Sequence, residues 1–138
     1  MPEKEEVNVE TCKQLASLRQ IIAAIDHLQK RELECAITLA GAAEGQLPEK
    51  RTDYLFRLLK KVFSHDDLNL VRDWLKHPSG PENATISEFE AALMVSRAIH
   101  KFVGVNQASH PKFEEFNKWA VEAGHLPRPL TTDARQSL

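Results

Sequence analysis

Between Leu15 and Leu28 the residues Leu15, Leu18, Ile21, Ile22, Ile25 and Leu28 fall at three- and four-residue steps, the spacing of one helical face. The same period returns along the chain, and nowhere does a strand-length stretch alternate apolar with polar residues. Helices with one apolar stripe must bury it against each other, so the expected fold class is all-α. Short connections make sequential helices antiparallel, which predicts an up-and-down helical bundle of four main helices with short accessory helices.

The first helix is expected over Val9 to Gln29. A second follows the charged break Lys30-Arg31-Glu32, carries Leu33, Ala36, Ile37, Ala40 and Ala43, and stops at Gly45 and Pro48. Its small residues suit close approach of a neighbouring helix, which is also the simplest reason for Gly41 inside it. Asp53 is read as the cap of a short third helix reaching Phe63. Asp66 or Asp67 opens a fourth that ends at His77, before the breaker-rich loop Pro78-Ser79-Gly80-Pro81-Glu82-Asn83.

Two overlapping capping boxes, Thr85 with Glu88 and Ser87 with Glu90, open a fifth helix expected to stop before Gly104. The sixth starts near Ser109, with Pro111 in its first turn, and closes at Gly124. This divides the chain into a flexible N-terminus over 1–8, a single helical domain over 9–124, and an extended or disordered tail over 125–138.

At 138 residues the chain is one domain's worth of material. Lys plus Arg number 18 against 20 Asp plus Glu, a net charge of -2, so no whole-molecule basic field exists and any phosphate site must be local. Cys12 and Cys35 fit no metal or redox spacing and read as small core hydrophobes. Neither a membrane-length apolar run nor a signal-peptide pattern is visible, so the expectation is a cytoplasmic protein without membrane association. The histidines form no HExxH pair, and no Gly-rich phosphate loop or GxSxG elbow is present; neither metal nor cofactor is expected.

One constellation carries chemistry: Arg72-Asp73-Trp74-Leu75-Lys76-His77, an R-x4-H sequence ending the fourth helix. Attack of an RNA 2'-hydroxyl on the adjacent phosphate needs a group that moves a proton near neutral pH and a cation for the phosphate oxygens. His77 suits the first role and Arg72, with its planar always-charged fork, the second. Asp73, four residues before His77, is placed to orient the imidazole, and Lys76 to attract the RNA backbone. At 100° per residue Arg72 and His77 stand about 140° apart around the helix, so one copy alone makes a poor site. The competing reading makes Arg72, Asp73 and Lys76 a solvated face, with His77 favouring the helix C-terminal dipole. Trp74 and Trp119 are read as core or interface anchors, and His100 as a surface histidine.

The R-x4-H sequence resembles the motif of the HEPN superfamily, helical domains whose RNase members carry an arginine, a polar residue and then a histidine four to six positions on. Arg72, Asp73 and His77 match it, and the likeness extends loosely over Leu18 to Ala123. Ala23 to Ala43 and Asn69 to Pro78 are also similar to a group of small uncharacterised bacterial helical proteins. The HEPN resemblance implies a homodimer in which two motif copies face each other and cut RNA without metal, with Arg72, His77 and Asp73 catalytic and Lys76 binding substrate. The alternative from another class is a non-catalytic helical protein that engages an unidentified protein partner.

Overall fold

The computed structural model describes residues 6–48 and 65–127. Among these the chain is all-helical: α1 (Lys13–Gln29), α2 (Leu33–Gln46), α3 (His65–Lys76), α4 (Glu88–Asn106) and α5 (Pro111–Glu122). The short helix expected over Asp53 to Phe63 lies outside the described residues.

α1 begins at Lys13 rather than Val9. Cys12 has extended backbone and its Sγ accepts from the Leu15 amide at 3.4 Å, so this thiol is an exposed helix cap and not a core residue. Residues 6–12 precede it without regular structure, and Val7 and Val9 stand exposed there. α1 and α2 fold back on each other across the three residues 30–32, where Arg31 takes the left-handed conformation (φ 61°). The His27 ring bonds the Glu32 carboxylate at 3.0 Å across this turn, and Gln46 donates to Gln20 between the two helices.

The core gathers Ile21, Ile25 and Leu28 of α1, Ala36, Ile37, Ala40 and Ala43 of α2, and a nearly unbroken run of α4 from Ala91 to Ile99. α4 is buried on all sides over that run because α1, α2, α3 and α5 each pack against it. Its start is set by the Ser87–Glu90 capping box, in which each residue bonds the other's backbone amide. Its end passes through the expected stop at Gly104 and reaches Asn106, because Gln107 takes the left-handed position that closes the helix (φ 53°). α5 is capped by His110, whose Nδ1 accepts from the Lys112 amide at 3.0 Å, with Pro111 at the first helical position. Phe113 of α5 meets Phe102 of α4 edge to face at 5.6 Å. Lys112 reaches Asp26 of α1 at 2.9 Å. Beyond α5, His125 bonds Glu88 at 2.9 Å and stacks near Phe89 and Trp119, holding the first residues after the helix against the body.

No described helix is long and apolar enough to cross a membrane.

Candidate functional site

α3 turns Arg72 inward beside Val71 and Leu75, which pack against the core, and leaves Asp73 and Lys76 outside. The Arg72 side chain is 22% exposed, Asp73 and Lys76 are exposed, and His77 stands exposed one residue past the end of the helix. The loop that follows is tied back on α3: Trp74 Nε1 donates to the Pro81 carbonyl at 2.6 Å. Gly80, with φ 102°, lies where an added Cβ would stand 3.3 Å from the same indole. Trp74 therefore anchors a loop, and Trp119 packs within 6.0 Å of Phe116 on its own helix.

The motif residues do not converge within one copy. Arg72 and Asp73 approach at 3.6 Å between Nε and Oδ1, an ionic contact too long for a hydrogen bond. Arg72 Nε is buried with no hydrogen-bond partner among the described residues. His77 makes no hydrogen bond or ion pair with Asp73, so the expected orienting contact is not formed within the chain.

Arg72 lies over Gly41 of α2. A Cβ at Gly41 would meet Arg72 Cδ at 2.9 Å and Cγ at 3.2 Å, with Met94 Cε of α4 at 3.7 Å. The missing side chain is thus the groove in which the arginine stem lies. Gly41→Ala gains helix propensity of about 1 kcal/mol but overpacks the stem at a typical cost of about 1–3 kcal/mol, so a net loss is expected by urea unfolding. In an Arg72→Ala background the sign should reverse, with Gly41→Ala stabilising by about 1 kcal/mol. The same sign in both backgrounds would disprove the contact.

Beneath Arg72 is a polar cluster that the motif does not mark. Glu44 of α2 and Arg97 of α4 pair at 2.7 Å, with side chains 10% and 3% exposed. Lys101, one turn further along α4 and also buried, donates to the Glu44 backbone carbonyl at 2.9 Å. It brings a cation to the C-terminal end of α2, which has no basic residue in its last turn. Arg97 Nη1 also lies 3.6 Å from Met94 Sδ. Burial is the largest influence on the Arg97 guanidinium and lowers its pKa; Glu44 opposes this by charge and hydrogen bond, and the Arg72 charge adds a further lowering. Arg72 and Arg97 are therefore electrostatic neighbours. The one hint in the sequence is that Ala91–Ala98 is apolar except at Ser96 and Arg97; it marks Arg97 as a cation within a core helix but does not name Glu44 as its partner.

No family model, curated protein or solved structure matches this chain.

A shallow, mainly apolar groove of about 280 Å³ is lined by His27, Glu34, Cys35, Thr38, Leu39 and Leu75, and neither Arg72 nor His77 lines it. Among the described residues no three His, Cys, Asp or Glu side chains are grouped as metal ligands would be.

His100, on the exposed flank of α4, is held below the usual histidine range by desolvation. The unfolded chain then binds the proton more readily than the folded one, so stability should fall as pH drops through about 6.5 and level off below the lower folded value. His100→Asn should flatten that part of the curve of urea midpoint against pH. An unchanged slope would show that other groups carry it.

Proposed function

We propose that this chain is an HEPN-like up-and-down helical bundle that acts in the cytoplasm as a homodimer and cleaves single-stranded RNA without a metal. The observation that carries this reading is the state of Arg72: its stem is seated over Gly41, yet its buried Nε has no acceptor among the described residues, while His77 stands exposed at the end of the same helix. A buried donor without a partner costs about 1–3 kcal/mol, and a phosphate oxygen is the acceptor that an arginine fork suits best.

Two copies would supply two histidines. One His77 takes the proton from the 2'-hydroxyl as its oxygen attacks phosphorus. The bond to the 5'-oxygen breaks, and that oxygen receives a proton from the partner's His77. The products are a 2',3'-cyclic phosphate and a free 5'-hydroxyl. Arg72 balances charge on the non-bridging oxygens, and Lys76, exposed beside the motif, draws in the backbone.

The test is incubation of the wild-type chain with a mixed single-stranded RNA pool in EDTA, with product ends analysed and mass in solution measured alongside. Cyclic phosphate ends from a dimeric protein support the reading; intact RNA refutes it. A second reading, a non-catalytic helical protein with a protein partner, is favoured by the packing of Arg72 on Gly41, which gives the arginine a structural role within one copy. Intact RNA would transfer support to it.

A further inference from the structure

Residues 6–12, ahead of α1, form an arm without regular structure. Over Glu6-Val7-Asn8-Val9-Glu10-Thr11 polar residues alternate with apolar or β-branched ones, so an extended backbone sets Val7, Val9 and Thr11 on one side and Glu6, Asn8 and Glu10 on the other. Val7 and Val9 are 87% and 71% exposed, the two large apolar side chains left in solvent among the described residues. One such side chain is ordinary on a surface, but two at this spacing make a strip that the rest of the chain leaves uncovered. A receptor for a strip of this kind lies toward the other end of α1. The apolar floor of the groove is supplied by Cys35, Leu39 and Leu75, and its polar lining includes the exposed Glu34 and Thr38.

We infer that the arm of one copy lies in the groove of a second copy, and the reverse, so that two such joints close a twofold dimer. The length of the arm excludes its own groove as the receptor. His27 stands about 21 Å along the axis of α1 from Lys13, whereas the four residues back from Lys13 to Val9 span at most about 14 Å, so the two valines cannot both enter the groove of their own copy. No such limit holds between copies. Charge favours the pairing on one side and opposes it on the other: Lys30, one turn beyond His27, is exposed without an ion pair among the described residues and suits the acidic side of the arm, while Glu34 repels it. Leu75 lies on α3 between Arg72 and His77, so the joint sets the partner's arm against the helix that carries the R-x4-H sequence. The inference takes from the proposed function only that two copies associate, and it requires no RNA.

The experiment is sedimentation equilibrium of the full chain over a dilution series without RNA. Wild-type protein should be a dimer that dissociates on dilution. Val7→Asp/Val9→Asp, at two exposed positions, should weaken the dimer at least tenfold. Thr38→Glu should do the same, because it sets a carboxylate on the exposed lining of the groove against Glu6 and Glu10. An equal mixture of the two variants is the decisive measurement. Its mixed dimer keeps one intact joint, the native arm of the Thr38 variant in the native groove of the arm variant, so the mixture should associate more tightly than either variant alone. A monomeric wild type, an arm variant that dimerises as wild type does, or a mixture no tighter than its parts would each overturn the inference. Should Thr38→Glu not fold, the arm variant decides it together with the Thr38 amide resonance, which should differ between dimeric wild type and arm variant. A dimer that the arm variant retains would end this inference and leave the homodimer of the proposed function standing. Loss of the dimer with RNA cleavage unchanged would keep the joint and end the two-copy nuclease.

Discussion

His77→Ala is expected to slow RNA cleavage in EDTA by about 10²–10⁴-fold, the contribution of a positioned acid or base. The structure makes this a clean test, because His77 is exposed beyond the end of α3 and, among the described residues, makes no hydrogen bond or ion pair. Substitution of such a residue ordinarily changes stability by no more than about 0.5 kcal/mol, so lost cleavage would report chemistry and not unfolding. In a dimer both the proton acceptor and the proton donor vanish in the same variant, which places the loss toward the upper end of the range. Arg72 would remain and preserve RNA binding, so KM should move far less than kcat. Equal cleavage by variant and wild type, with circular dichroism showing both folded, would remove His77 from the reaction.

Arg97→Met should destabilise the fold by about 3–5 kcal/mol, because it strands the Glu44 carboxylate where Arg97 now holds it at 2.7 Å. The result becomes diagnostic when paired with Glu44→Leu/Arg97→Met. Removing both charges removes both desolvation costs, and Glu44 Oε2 already has no partner, so the double variant should regain wild-type stability or exceed it. Urea unfolding of the three proteins measures this. A double variant no more stable than the single one would show that the junction's stability depends on the pair itself and not on avoiding an unpaired charge.

The residues that made the fold legible were those whose period and caps are local properties. Leu15 to Leu28 announced α1, and of the two overlapping capping boxes, Thr85 with Glu88 and Ser87 with Glu90, it is the second that opens α4. The ends that went astray were decided by single residues: a cysteine sulfur capping α1, and Gln107 taking the left-handed turn that ends α4 beyond the stop expected before Gly104. Arg72, Asp73, Lys76 and His77 were visible as a motif because they are close in sequence. Which way each faces was not, because Arg72 is aimed by the lack of a side chain at Gly41, on another helix. Glu44, Arg97 and Lys101 escaped notice for the same reason. A charged residue within an apolar helix declares itself buried only when its neighbours in space are known.

The distance along the chain between those partners has a consequence during synthesis. α1 and α2 can join as soon as residues 30–32 have turned, but Arg97 follows Glu44 by 53 residues and Lys101 by 57. At a ribosomal rate of about 5–20 residues per second, that interval lasts roughly 3–10 s. Throughout it the Ala-rich face of α2 and its acidic side chain have no α4 to cover them. Until α4 is made, nothing supplies the cation that Glu44 pairs with in the folded chain, and α4 is the segment whose arrival covers the α1–α2 hairpin.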